Sequence, residues 1–134
     1  MTLVVDASVV LAAVVDAGPS GEWTRSQLAD SELMAPHLLP VEVANSLRRL
    51  VARDVLSADV AALAYADFRR VRVELFPYEP FAERVWQLRS NVTAYDGWYV
   101  AVAEALDVPL ATLDRRLRTA AGPRCRFVTA PTQS

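Results

Sequence analysis

Two short apolar runs in this chain each end on an aspartate. Leu3-Val4-Val5 leads straight into Asp6, and Val108-Pro109-Leu110-Ala111-Thr112-Leu113 leads into Asp114. Leu3-Val4-Val5 is apolar throughout and rich in β-branched residues, so it suits a strand covered on both faces, as a central strand of a parallel sheet is. The second run reads as another strand, again delivering a carboxylate at its end.

The segments between and around these runs read mainly as helices. Val9 to Val15 follows Ser8, a residue that can cap a helix, and the cap and the alanines place a helix there where periodicity alone does not decide. Gly18-Pro19-Ser20-Gly21 reads as a loop, Glu22 to Ala29 as a helix, and Leu33-Met34-Ala35 as a strand closed by Pro36. Pro40 fits a first helical turn. Behind it, Val43, Leu47, Leu50 and Val51 form one apolar stripe, while Glu42, Asn45 and Arg49 fall on another line. Glu42 has Asn45 and Ser46, not arginine, at the positions where an intrahelical partner would stand.

Ser57-Ala58-Asp59 opens the next helix, which ends at Arg69-Arg70, and Val73-Glu74-Leu75-Phe76 is a strand stopped by Pro77. Pro80 opens a helix with Phe81, Val85, Trp86 and Leu88 expected inward. Thr93 caps a helix running to Leu106, with Asp96 three residues on, close to a capping box. Arg115 to Arg118 reads as a short helix, Arg126-Phe127-Val128-Thr129 as an edge strand, and Pro131 to Ser134 as a tail. This alternation predicts an α/β fold with a central, mainly parallel sheet flanked by helices on both faces. A chain of 134 residues makes one domain, 1–134, with its core at about 3–128.

Composition removes several classes. An apolar fraction of 53% is too high for a disordered tail. No apolar run reaches the roughly 18 residues of a membrane span. The N-terminus lacks a basic stretch and carries Asp6 inside its apolar run, unlike a signal peptide. Cys125 is alone, which excludes an internal disulfide and a Cys-rich zinc site and leads us to expect a cytoplasmic setting. The net charge of −2 does not announce a nucleic-acid binder. All fourteen basic residues are arginine, the side chain suited to bidentate phosphate contact, although a GC-rich genome produces the same bias. Phosphoryl-transfer domains of receiver or haloacid-dehalogenase type need a lysine beside the phosphate, and there is none. The four glycines form neither GxGxxG nor GxxxxGK. The single histidine, His37, follows Pro36 and reads as a loop residue, which argues against histidine-driven acid–base catalysis.

In a parallel sheet, ligands bind beyond the carboxyl ends of the strands, where the strand order reverses. Asp6 and Asp114 would emerge there. Asp96 and Glu42, each near a helix start, would lie at the same edge. Taken singly, each acid has an ordinary structural role: an Asp after a strand caps the next helix, Asp96 complements a helix dipole, and Glu42 is solvated. Tyr95, Trp98 and Tyr99 read as packing rather than as a base-stacking platform. Taken together, four converging carboxylates repel and raise one another's pKa unless something neutralises them. An all-oxygen set with one histidine and no thiolate pair suits Mg²⁺ or Mn²⁺.

The chain resembles PIN-domain ribonucleases of the VapC toxin type from Val4 to about Val128. The matching pieces are Val5-Asp6-Ala7-Ser8, Pro40-Val41-Glu42-Val43-Ala44-Asn45, Thr93-Ala94-Tyr95-Asp96 and Thr112-Leu113-Asp114-Arg115-Arg116-Leu117. The resemblance implies a PIN-like three-layer α/β/α fold and a Mg²⁺- or Mn²⁺-dependent endoribonuclease, toxic when free and held inactive by a VapB-type antitoxin. By the same carry-over Asp6, Glu42, Asp96 and Asp114 form the catalytic and metal-binding set. Ser8 and Thr112 are neighbouring hydroxyls, and Asn45 and Asn91 are candidates to orient substrate. Gly97 departs from the family, where Ala is usual, at a helix cost of roughly 0.5–1 kcal/mol. Attack by water is implied, leaving 5′-phosphate and 3′-hydroxyl ends, with RNA selected by an exposed single-stranded loop.

Arg115, Arg116 and Arg118 are the first candidates for the RNA backbone. Arg48, Arg49 and Arg53, and Arg69, Arg70 and Arg72, are weaker candidates, which a solvated or antitoxin-facing surface explains equally well. A homodimer is implied, as is a groove for the antitoxin in which Trp23, Leu28, Leu38 and Leu39 could take part, although burial in the core explains those residues as well. Promoter DNA would be met only through the antitoxin, and no membrane is involved. The competing reading is a PIN-like module that binds RNA or protein without catalysis.

Overall fold

The computed structural model describes residues 1–130, so the expected tail at Pro131 to Ser134 lies outside the described residues. Five strands, β1 (Thr2–Val5), β2 (Glu32–Pro36), β3 (Val73–Phe76), β4 (Leu110–Ala111) and β5 (Phe127–Val128), form one sheet in the order β3-β2-β1-β4-β5. Every pairing is parallel; Leu3 stands opposite Leu33, and Val5 opposite Ala111. Leu3, Val4 and Val5 are completely buried, as a strand at the middle of a covered sheet requires.

The crossovers are helical. Helices α1 (Ala7–Val15) and α2 (Pro19–Ala29) link β1 to β2, and α3 (Leu39–Ala52) and α4 (Ala58–Arg70) link β2 to β3. A 3₁₀ turn (Glu79–Phe81), α5 (Ala82–Gln87) and α6 (Ala94–Leu106) lead to β4, and α7 (Arg115–Thr119) leads to β5. The chain steps from β1 in one direction to β2 and β3, then crosses to β4 and β5 on the other side of β1. With right-handed crossovers, that reversal puts α1–α4 on one face and α5–α7 on the other. The packing agrees: α1 contacts α2, α3 and α4, whereas α6 contacts α5 and lies against β1, β2 and β4. The three-layer expectation is met, and the sheet is wholly parallel rather than mainly so.

Several local expectations change. The stretch Gly18–Gly21 is the start of α2, with Pro19 in its first turn. Gly21 is buried where a Cβ would fall 1.8 Å from the Asp16 carbonyl oxygen, so the glycine serves a close helix contact rather than a turn. Strand β4 keeps only two residues of the expected run from Val108. After Thr112, whose amide reaches Val128, the amides of Leu113 and Asp114 bond to the hydroxyls of Ser8 and Thr112 instead of a neighbouring strand. Trp86 is not inward. Val85 and Leu88 occupy the face of α5 turned to the core, and Trp86 stands one residue round, 67% exposed, with the Arg89 guanidinium 4.5 Å above its ring. In α3, Val43 and Leu47 are buried, while Leu50 and Val51 are half-buried at the rim. Leu39 is fully buried and so cannot line an open groove; Trp23, Leu28 and Leu38 are half-buried. Among the described residues no helix is long and apolar enough to cross a membrane.

Candidate active site

The strand order reverses between β1 and β4, and that crevice is where a parallel sheet of this kind binds ligands. Asp6 follows β1 directly and Asp114 follows β4 by three residues, so both carboxylates rise at the switch point. Each also caps a helix. Asp6 Oδ1 accepts the Val9 amide at 3.2 Å, and Asp114 Oδ1 accepts the Arg116 amide at 2.9 Å. Ser8, expected as the cap of α1, instead has its hydroxyl 2.5 Å from Asp6 Oδ1, to which it donates. Capping and membership of an acidic cluster are therefore compatible.

Asp6 is 6% exposed and both its oxygens are held. Ser8 Oγ donates to Oδ1, and Thr112 Oγ1 donates to Oδ2 in a short hydrogen bond. The same hydroxyls accept the backbone amides of Leu113 (3.0 Å, on Ser8) and Asp114 (2.9 Å, on Thr112). The Asp6 carboxylate is thus tied by two hydroxyl links to the loop that carries Asp114. Burial pushes its pKa up to about 6 against the pull of these hydrogen bonds, and the charge of Asp96 pushes it further the same way.

Asp96 lies in the first turn of α6, where its amide donates to Thr93 Oγ1 at 3.1 Å. Burial and then the Asp114 charge raise its pKa, while the Thr93 side chain pulls the other way. Glu42, in the first turn of α3, is raised by burial, opposed by the hydrogen bond from Tyr99, and raised again by Asp96. Asp96 is therefore the hub: its field reaches Asp6 and Glu42, and the field of Asp114 reaches it. The salt bridges among the described residues, Arg70–Asp67, Arg84–Glu104 and Arg126–Asp107, involve none of these acids.

Tyr99 belongs to this site although the sequence suggested only packing. Its ring is 1% exposed in the core, yet its hydroxyl donates to Glu42 Oε1 at 2.6 Å across 57 residues of chain. The available signal was spacing: Tyr99 falls three residues after Asp96, on the same face of α6. Tyr95 is 63% exposed beside Asp96, and Trp98 packs edge-on against Tyr78. Asn45 and Asn91 make no hydrogen bond to the acids among the described residues. Asn45 Oδ1 accepts from Arg48 Nε on the surface, and Asn91 is exposed with its amide nitrogen beside Gly122. Arg115 and Arg116 are exposed immediately after Asp114, whereas Arg118 is half-buried with its Nε lacking a hydrogen-bond partner. His37 is exposed in the turn before α3.

Among the described residues no group of three or more His, Cys, Asp or Glu side chains stands close enough together to hold a metal ion. The acids nevertheless fit a cation of the Mg²⁺ kind, which takes one or two carboxylates directly and keeps several of its waters. They supply only oxygen donors, they repel one another, and none has a salt-bridge partner among the described residues.

A family model described as PIN domain matches residues 3–123. The chain is 45% identical over 125 residues to Ribonuclease VapC1 of Mycobacterium tuberculosis, covering 92% of this chain and 94% of that one. It is 40% identical over 129 residues to Ribonuclease VapC9 of the same species, covering 96% and 98%. Among solved structures, VapBC2 from Rickettsia felis, bound to a DNA fragment from its promoter, has a chain that superposes with a TM-score of 0.67 at 10% identity, covering 96% of this chain and 98% of that chain; at that identity the likeness is one of fold.

Proposed function

The chain belongs to the PIN-domain family, among the VapC ribonucleases, and from that premise we propose that it is a divalent-metal-dependent endoribonuclease and the toxic partner of a VapB-type antitoxin. The observation that carries the proposal is the position of Asp96, within electrostatic reach of the three other acids at the switch point of the sheet, with no salt bridge among the described residues to offset them.

Of Asp6, Glu42, Asp96 and Asp114, one or two would ligate Mg²⁺ or Mn²⁺ directly and the others would act through the waters the ion keeps. When bound, such a cation lowers the pKa of a coordinated water and offsets charge on the scissile phosphate. The chain's own contributions are separate. Ser8 and Thr112 fix both oxygens of Asp6, so that acid presents one orientation. Glu42 or Asp96, each half-buried at a helix start, would take a proton from an attacking water. Arg115 and Arg116, exposed beside Asp114, would hold the RNA backbone through charge-assisted hydrogen bonds. An unpaired RNA loop, a homodimer and indirect contact with promoter DNA through the antitoxin complete the reading.

Two assays test it. Mn²⁺ should raise the melting temperature of the wild-type protein and not that of Asp6→Asn, because a ligand that binds only the folded form stabilises it. RNA cleavage should require the cation, stop on addition of EDTA, and be lost in Asp6→Asn. Cleavage that survives EDTA would overturn the scheme, and the absence of both metal binding and cleavage would favour a non-catalytic interaction module.

A further inference from the structure

Glu42 is the one acid of the four that comes from α3, on the face of the sheet opposite α6, and a carboxylate on a two-carbon stem needs something to aim it. Its partner is Tyr99. Among the described residues the phenol is the one side chain of α6 besides Asp96 that interacts with the acidic set, and its hydroxyl donates to Glu42 Oε1 at 2.6 Å. No hydrogen bond reaches Glu42 Oε2 among the described residues. Tyr99 itself cannot swing away, since its ring is 1% exposed and packed in the core shared by β1, α3 and α6.

We propose that Tyr99 is a positioning residue: it fixes the Glu42 side chain through Oε1, so that Glu42 would meet a bound cation in a single orientation. The inference rests on the proposed metal-dependent nuclease reading. A rigid aromatic ring anchored in one layer thereby sets the rotamer of an acid in another, as a group hydrogen-bonded to a metal ligand commonly does. A phenol that merely satisfied its own hydroxyl would find any acceptor adequate; here the acceptor is a member of the acidic set itself.

Tyr99→Phe removes only the hydroxyl and tests the idea. Far-UV circular dichroism checks the fold, and Mn²⁺ binding to RNA-free protein is measured by calorimetry beside steady-state RNA cleavage. The expected result is Mn²⁺ affinity and kcat each reduced about 10- to 100-fold, with KM for RNA unchanged within about twofold. In a Glu42→Gln background the same exchange should have no further effect on Mn²⁺ affinity. Wild-type affinity and kcat in Tyr99→Phe would overturn the positioning role while leaving the nuclease reading intact. A wild-type protein that binds no Mn²⁺ would overturn that reading and this one with it. Should Tyr99→Phe not fold, ¹³C-tyrosine-labelled wild type replaces it. The Tyr99 ring-carbon resonance should move on saturation with Mg²⁺, and an unmoved resonance rejects the proposal.

Discussion

Thr112 and Asp6 stand 106 residues apart in the chain, and the Thr112 hydroxyl donates directly to Asp6 Oδ2. Thr112 Oγ1 in turn accepts the backbone amide of Asp114, so one fully buried side chain joins Asp6, at the end of one central strand, to the loop that carries Asp114. Thr112→Val keeps the shape and deletes both bonds. We expect a loss of about 1–3 kcal/mol in urea denaturation, from the unsatisfied groups left buried. RNA cleavage should fall about 10- to 100-fold. A valine variant as active as wild type would show that the hydroxyl serves only to satisfy local backbone.

The Asp6 carboxyl gives a signed pH dependence. Its pKa rises from 3.8 in the open chain to about 6 in the fold. The native state therefore holds this proton more tightly, and stability falls as pH climbs from about 4 to about 6, with nothing lost below that window. The displacement corresponds to about 3 kcal/mol above the window. Glu42 and Asp96 act in the same direction. In EDTA, Asp6→Asn should match wild type near pH 4 and become the more stable protein by pH 7. Parallel stability curves across that range would mean that Asp6 ionises freely.

Glu104 acts in the opposite direction and far from the acids. Against the burial that favours its neutral form, Arg84, bonded to it at 2.7 and 3.1 Å, and the Arg124 amide at 2.7 Å hold its pKa down. Its contribution is present above the open-chain value and is lost as pH falls through the lowered one. Arg84 also donates to the Gly122 carbonyl, so the pair clamps the loop leading to β5. Glu104→Ala should cost about 2–3 kcal/mol at neutral pH, by loss of charge-assisted bonds. Proteolysis should then cut first between residues 120 and 126. Protection equal to wild type there would dismiss the clamp.

Arg115 and Arg116 are exposed and make no salt bridge among the described residues. If both contact phosphates, the double alanine variant should bind RNA more weakly and reduce the slope of log K against log salt by about 1.4, at about 0.7 per single-strand contact. Stability should stay within about 0.5 kcal/mol of wild type, as for other exposed positions. An unchanged slope removes these arginines from the RNA surface.

The architecture was legible in the residues themselves, and the four acids could be named as candidates from their order and positions. Leu3-Val4-Val5 had to be covered on both faces, helices had to alternate with strands, and a carboxylate at the end of each of two apolar runs had to reach one edge of a parallel sheet. Those are consequences of solvent and of period, and both act locally. What the tertiary structure decided were the contacts that no local period encodes. It made Gly21 a packing residue, because the Asp16 carbonyl comes too close for a Cβ. It left Trp86 in solvent, because a helix of six residues has one narrow inward face and Val85 and Leu88 occupy it. It paired Asn45 with Arg48 and set the Asn91 amide beside Gly122, and it brought Tyr99 to Glu42 and Thr112 to Asp6. A hydrogen bond between elements depends on sub-ångström placement of two faces, which is settled only when the whole core has packed.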